Sequence, residues 1–500
     1  MAHWFTHRTA HAPAQPAPPV SPGVRNVDHK QLLRLLNFVQ GAVYLPGDAG
    51  YPDAARQFDS QFLRRPIAVV VCADVADVQA CLLWCHQLGV TPTFRSGGHS
   101  TAGYSVLDNT LTVDLSLLNR IEIDPDARIA HVQPGVNFDQ LNAALDQHQL
   151  HVPGGGCGSV CVAGYMQGGG YGFTSRSFGM NCDNVREIEF LTREGSRQIA
   201  NATSNPERFW AIRGGTGGNF GVVTRITYDL VPLGTIWGFG LRWDLDHAAK
   251  AMQAMQAGYM RGGPASIGYM TFIIGRRDQG TGDYKTALFM RGMCVEGAAK
   301  GRSLLEPLLQ TGAAYEIDTE GSYSYLNGFL LADLEPTDLG IIQELKVSNY
   351  VAKKLAAADW AEVVDCFRKA PNFAAAHANT LTLEPYGGRI AETSARTDNA
   401  FMHREVDMNF AIDSFFGTND ERPAAQAWLQ RFTDFLRGPL GRSNGEVYQN
   451  YPEPDLTNWR EAYFGKNFDR LLKLKQEVDP PGKDYPKGFF TFPQSIFPKE

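Results

Sequence analysis

His99 lies in the run FRSGGHS (94–100), and Cys157 lies in PGGGCGSVCVAGYMQGGGYG (153–172). Each is a nucleophilic side chain set in a glycine-rich loop. Glycine lets backbone lie close against a large flat ligand, and a cysteine acts as a nucleophile through its thiolate. Two such residues in two such loops suggest a flavin gripped by two covalent bonds, and hence redox chemistry.

A nicotinamide dinucleotide is the competing explanation for so much glycine. Its fingerprint needs G-x-G-x-x-G between a strand and a helix, with an acidic residue about 20 positions on. GGTGGNFGVVT (214–224) offers Gly215 and Gly217 but runs into the strand-like VVTRITYDLV (222–231), not into a helix. Successive backbone N–H groups in a loop can instead form anion-binding concavities.

The elements that must position these loops follow from periodicity. IAVVVCA (67–73) reads as a strand, and VADVQACLLWCHQLG (75–89) has helical spacing and ends at glycine. TPTFRS, TLTVDLS and ARIAHVQPG are strand-like, and NFDQLNAALDQHQL (137–150) is a helix with Asn137 or Asp139 near its start. From about 234 to 445 the glycine loops thin out. Strand patterns such as WGFGLRWDL, SIGYMTFIIG and YKTALFMRGM alternate there with helices such as HAAKAMQAMQAGYM and DWAEVVDCFRKA.

Composition narrows the function classes. The chain has 500 residues, long enough for two domains, with 43% hydrophobic content. A net charge of −7 argues against nucleic acid or an anionic membrane as partner. No apolar run approaches the roughly 18 residues that span a bilayer. The first 24 residues, rich in Ala and Pro, read as a disordered leader and not a signal peptide, so a cytoplasmic location is expected. His3, His7 and His11 within it lack the further ligands of a metal site, and no metal is expected. The eight cysteines include no CxxC and predict no disulfide framework; Cys81 and Cys85 are read as core residues of a helix.

RRPIAVVVCADVADVQACL, RSGGHSTAGYSVLDNTLTVDLSLLNRIEID, GGGYGFTSRSFGMNCDNVREIEFLTREG, RFWAIRGGTGGNFGVVTRITYDLVPL and the C-terminal YQNYPEPDLTNWREAYFGKNFDRLLKLKQEVDPPGKDYPKGFFTFPQSI carry a resemblance. In order and spacing the chain resembles the berberine bridge enzyme-like flavoproteins of the vanillyl-alcohol oxidase (PCMH-type) superfamily. About half the chain matches strongly and the middle loosely.

The resemblance implies an α+β fold: a PCMH-type, two-subdomain FAD-binding domain over 25–233, a substrate-binding domain over 234–445 with an antiparallel sheet covered by helices, and a segment, 446–500, returning to the FAD domain. It implies FAD bonded through His99 to the flavin 8α-methyl and through Cys157 to C6, with Cys161 as packing. Arg95, Ser96, Gly97, Gly98, Ser100, Val160, Gly164, Gly168, Gly169, Gly170, Gly172, Gly218, Asn219, Gly221, Val222 and Asn450 complete the implied cofactor site. Val160 falls where the family gates oxygen, and valine there goes with oxidase behaviour.

The family's catalytic tyrosine falls on Tyr451, with Tyr171 as its support and Tyr448 as a less favoured base. A free tyrosine has a pKa near 10, so a tyrosinate would need a cationic or hydrogen-bonding environment. The competing reading is that Tyr451 and Tyr171 are ordinary interface tyrosines, ring packed and hydroxyl satisfied. The substrate-facing polar residue is left open among Asn409, Asp413 and Ser414, because a one-residue slip of a strand exchanges its faces.

The implied activity is oxidation of an alcohol or sugar, with O2 reduced to hydrogen peroxide. The alternatives are a dehydrogenase using another acceptor and an oxidative cyclase or bond-forming enzyme of secondary metabolism; a flavin-binding protein without turnover is the non-enzyme reading. A sugar, glycoside or hydroxylated metabolite is the expected partner, and a monomer or homodimer the expected assembly.

Overall fold

A computed structural model describes residues 29–497 apart from 278–283, 333, 335–342, 374–376, 393 and 395. The expected leader, with His3, His7 and His11, lies outside the described residues.

The N-terminal part holds two larger sheets and a short antiparallel pairing of Leu150–His151 with Val231–Pro232. In the first, Ala68–Val71 and Pro92–Arg95 each run parallel to Leu111–Asp114, and Ala42–Tyr44 adds an antiparallel edge. The helix Val75–Leu88 starts where the Asp74 carboxylate accepts from the Asp77 N–H, and ends at Gly89, whose φ of 67° is the left-handed conformation that terminates helices. Cys81 and Cys85 are fully buried on its inner face, packed with Cys72. The second sheet is antiparallel, in the order Ile121–Asp124, Ile129–Val132, Val222–Asp229, Val185–Leu191, Arg197–Asn201. The helix Phe138–Asp146 opens with a capping box between Asn137 and Gln140. The glycine loop 214–221 does lead into a strand.

A seven-stranded antiparallel sheet follows, built from β1 (Ile236–Asp244), β2 (Ile267–Arg277), β3 (Tyr284–Cys294), β4 (Ala314–Gly321), β5 (Gln343–Val351), β6 (His377–Pro385) and β7 (Met408–Phe416), in the order β4-β1-β3-β2-β6-β7-β5. Side chains alternate across a strand, and β7 shows the consequence. Met408, Phe410 and Ile412 point into a core shared with Trp360, Trp428, Phe432 and Phe435, which belong to the helices Ala357–Arg368 and Arg422–Arg437. Asp413 and Phe415 point the other way, into a cavity. The α+β arrangement, with helices covering one face of an antiparallel sheet, agrees with expectation.

The C-terminal segment lies against the N-terminal part. Tyr485 donates its hydroxyl to Cys85 O at 2.6 Å, and the buried Lys475 ammonium donates to Asn219 O at 2.8 Å. The Ile496 N–H donates to Asn219 Oδ1 at 2.9 Å. The tail therefore clamps the loop that carries Gly217 and Gly218.

Candidate active site

A cavity of about 520 Å³ separates the glycine loops from the free face of β2, β6, β7 and β5. Loop residues 96–101, 155–157 and 216–218 form one side, with His99 and Cys157 among them. The polar part of the sheet side presents Glu344, Lys346, Thr380, Thr382, Glu384 and Asp413; Met270, Phe272 and Ile274 form its apolar part.

The His99 loop is fixed from below. Gly98 has φ +71°, and its carbonyl accepts from the Phe58 N–H at 3.1 Å. A Cβ on Gly97 would come within 3.0 Å of Cys161 Sγ, so only glycine packs there without displacement. The Phe58 ring lies 4.9 Å from the His99 ring. Burial holds His99 down at about 4, so the imidazole is neutral at neutral pH and keeps a nitrogen lone pair. Ser159 Oγ stands 3.1 Å from His99 Nε2 and 3.3 Å from Cys157 Sγ, joining the two nucleophiles through one hydroxyl. Cys161 is buried and donates to Gly135 O at 3.3 Å, a packing position with its thiol pushed up to about 12 by burial.

Tyr451 donates its hydroxyl to Glu384 Oε1 at 2.6 Å, and Asn409 Nδ2 donates to Glu384 Oε2 at 2.9 Å. Burial raises the Glu384 carboxyl above its ordinary value. Burial and the Glu384 charge raise Tyr451 well above 10. The expected route to a tyrosinate is therefore corrected. A cation is present, Lys346 Nζ lying 4.3 Å from the centre of the Tyr451 ring, but the anionic acceptor on the hydroxyl itself wins and the phenol stays protonated. Lys346 also pairs with Asp413 at 2.5 Å and Glu344 at 3.2 Å. Burial pushes Glu344 up to about 8.

Tyr448 is no free base. Its hydroxyl accepts from Gly170 N–H at 3.1 Å, Tyr171 N–H at 3.2 Å and Asn450 Nδ2 at 3.1 Å. Tyr171 lines the cavity, but its hydroxyl donates to Pro385 O at 3.0 Å, next in sequence to Glu384, and not to Tyr451. Tyr171 thus holds the backbone next to the carboxylate.

Of the residues named from the sequence, Ser96, Gly97, Gly98, His99, Ser100, Cys157, Val160, Gly164, Tyr171, Gly218, Gly221, Val222, Asn450 and Tyr451 line the cavity. Arg95, Gly168, Gly169, Gly170, Gly172 and Asn219, also named as cofactor-binding, are not among the residues that line it. Arg95 donates Nε to Asp114 at 2.7 Å and Nη1 to Arg56 O at 2.8 Å, because a buried guanidinium must satisfy its donors within the strand layer. A Cβ on Gly168 would strike the Asn450 side chain and one on Gly172 the Gly154 carbonyl, while Gly169 and Gly170 pack on Phe401 and Tyr165. Asn219 donates to the Thr216 carbonyl at 3.2 Å and shapes its own loop. On β7, Asp413 faces the cavity, Asn409 holds Glu384, and Ser414 is on the opposite face, donating to Asn379 Oδ1 at 2.8 Å. Glu384, Lys346 and Ser159 were not found from the sequence. LTLEP and ELKV are ordinary strand sequences, and only three-dimensional register brings their polar side chains to one face.

The donors and loops fit a flavin nucleotide: a neutral imidazole and a half-buried thiol flank one cavity, and a Cβ on Gly164, which lines it, would meet open space. Residues 66–201 match the FAD binding domain model, and 447–497 match the berberine and berberine-like model. The chain is 28% identical over 468 residues to an uncharacterized FAD-linked oxidoreductase, YgaK, of Bacillus subtilis, covering 92% of this chain and 97% of that protein. It is 27% identical to the xylooligosaccharide oxidase of Thermothelomyces thermophilus, over 89% and 90% of the two chains. Among solved structures, BBE-like 1 of Physcomitrella patens superposes with a TM-score of 0.81 at 24% identity, covering 94% of this chain and 99% of that one. The berberine bridge enzyme of Eschscholzia californica gives 0.82 at 22% identity, with the same coverage. Two segments of the chain thus match the FAD-binding and berberine-like models, and its fold is that of the berberine bridge enzyme-like structures.

Proposed function

We propose that the protein is an FAD-linked oxidase of neutral, polyhydroxylated substrates, with FAD attached through both His99 and Cys157. The observation that carries this reading is the Tyr451–Glu384 pair opening into the cavity that His99 and Cys157 line. FAD, when bound, would take a hydride from the substrate carbon and deliver the electrons to O2 as hydrogen peroxide.

The chain's own residues manage the proton. A substrate hydroxyl that meets Tyr451 Oη gives up its proton to the phenol oxygen as the phenolic proton passes to Glu384 Oε1. No free tyrosinate is needed, because the carboxylate 2.6 Å away is the final acceptor. Asn409 holds the other carboxylate oxygen, so the accepting oxygen stays aimed at Tyr451. Tyr448 and Asn450 fix the backbone of the glycine loop opposite. Thr380, Thr382, Lys346 and Asp413 offer donors and acceptors to further hydroxyls, and among the described residues the one cation of this wall, Lys346, is paired with Asp413 and Glu344. The similar carbohydrate-active proteins, among them a carbohydrate oxidase of Microdochium nivale and a chitooligosaccharide oxidase of Gibberella zeae, support a sugar as substrate.

The test is anaerobic mixing with a panel of neutral aldoses and oligosaccharides, followed by aeration. Bleaching of the flavin by at least one sugar, with peroxide on aeration, is expected. A panel that leaves the flavin oxidised would overturn the sugar assignment, and bleaching without peroxide would overturn the oxidase assignment.

A further inference from the structure

Ser159 is not among the residues implied for cofactor attachment, yet its hydroxyl stands between the two that are. Its Oγ is 3.1 Å from His99 Nε2 and 3.3 Å from Cys157 Sγ. The loop that carries it is held in place. Val160 N–H donates to Cys157 O at 3.3 Å, and Asp139 N–H donates to Gly158 O at 2.9 Å. The Phe58 ring packs against the imidazole, its centre 4.9 Å from that of His99. The three side chains therefore form a fixed chain in the order imidazole, hydroxyl, thiol.

We infer that Ser159 is the proton relay for attachment of the flavin, serving the His99 bond and the Cys157 bond in turn. This rests on the bicovalent reading above. A hydroxyl both donates and accepts, so one orientation of the chain has His99 Nε2–H donating to Ser159 and Ser159 donating to Cys157. That tautomer leaves the lone pair on His99 Nδ1, which is then the bonding nitrogen. When Nδ1 bonds to the 8α carbon, one C–H proton and the Nε2 proton are lost, and the latter departs through Ser159. Two electrons remain in the ring system. O2 takes the two electrons and two protons as hydrogen peroxide, so one O2 is consumed for the one C–N bond formed.

His99 Nε2 is then a vacant acceptor. The relay reverses: the Cys157 S–H proton passes to Ser159 while Ser159 donates to Nε2, and sulfur bonds to C6. One C–H proton and one S–H proton leave, and a second O2 becomes a second hydrogen peroxide. Two features follow that a merely structural serine would not produce. Both bonds depend on one hydroxyl, and the histidyl bond precedes the cysteinyl bond.

The full chain is made in a cell-free system, incubated aerobically with FAD, denatured at intervals and digested. Peptides carrying His99 and Cys157 are then scored separately for bound flavin by mass spectrometry. Ser159→Thr and Ser159→Val have the same shape and differ in the hydroxyl, so packing is matched. The expected result is attachment by Ser159→Thr within a few-fold of wild type. Ser159→Val should be slowed at both peptides by on the order of 10²-fold, the low end of a general acid–base contribution, while still taking up FAD that denaturation releases. Equal rates for Thr and Val, slowing at only one of the two peptides, or cysteinyl flavin preceding histidyl flavin in wild type would each overturn the relay. Wild-type protein whose flavin is wholly released by denaturation would overturn the bicovalent reading itself, and is recognised before any variant is compared.

Discussion

Tyr451 donates its hydroxyl to Glu384 Oε1 across 2.6 Å, Glu384 coming from β6 of the sheet and Tyr451 from the C-terminal segment that returns to the glycine loops. In the proposed mechanism this pairing makes the carboxylate, and not an ionised phenol, the final base. Glu384→Gln keeps a hydrogen-bonding side chain of the same length but cannot take the proton. The rate of anaerobic flavin reduction should fall by about 10²–10⁴-fold, with flavin content unchanged, as stopped-flow absorbance and the protein-to-flavin ratio will show.

The same pair sets a pH dependence. Glu384 must be ionised to accept, and burial raises its pKa above the ordinary carboxylate value. Flavin reduction should therefore rise with pH through a limb lying above that ordinary value, and be lost as pH falls through it. The limb should be missing from the reduction profile of Glu384→Gln.

Lys346 lies between two carboxyl groups and over the Tyr451 ring, with 13% of its side chain exposed. Removing one partner of a buried ion pair leaves an uncompensated charge. Lys346→Met should cost about 3–5 kcal/mol of stability, read from denaturant or thermal unfolding. Lys346→Met combined with Asp413→Leu should recover a large part of that loss, since replacing both partners by apolar groups removes the orphaned charge.

The glycine loops, His99, Cys157 and Tyr451 were legible in the sequence because nucleophile type, glycine spacing and motif order are local properties. The helix Val75–Leu88 and its αL glycine were legible for the same reason. Glu384 and Lys346 were not. Each is one polar residue in a strand, and its role depends on β5, β7 and β6 pairing so that Lys346 lies opposite Asp413, and Asp413 opposite Thr380. The choice among Asn409, Asp413 and Ser414 needed the same register. Arg95, Gly168, Gly169, Gly170 and Gly172 sit in the right motifs but pack against Asp114, Asn450, Phe401, Tyr165 and Gly154, which motif position alone does not reveal.

The clamp between Lys475 and the Asn219 carbonyl gives the tail a role in assembling the glycine-loop side of the cavity. A chain ending at residue 445 loses this clamp and Tyr451 together. It should yield no soluble protein with bound flavin, whereas the full chain should be yellow; absorbance of the purified fractions checks this.

The most direct test of the account is stopped-flow reduction of Tyr451→Phe under anaerobic conditions with a sugar that bleaches the wild type. Phenylalanine keeps most of the ring packing against Tyr448 and Lys346 and removes only the oxygen that relays the proton. The account predicts full flavin content, still covalent after denaturation, and reduction slower by about 10²–10⁴-fold. Reduction at the wild-type rate would contradict it and place the base elsewhere in the cavity.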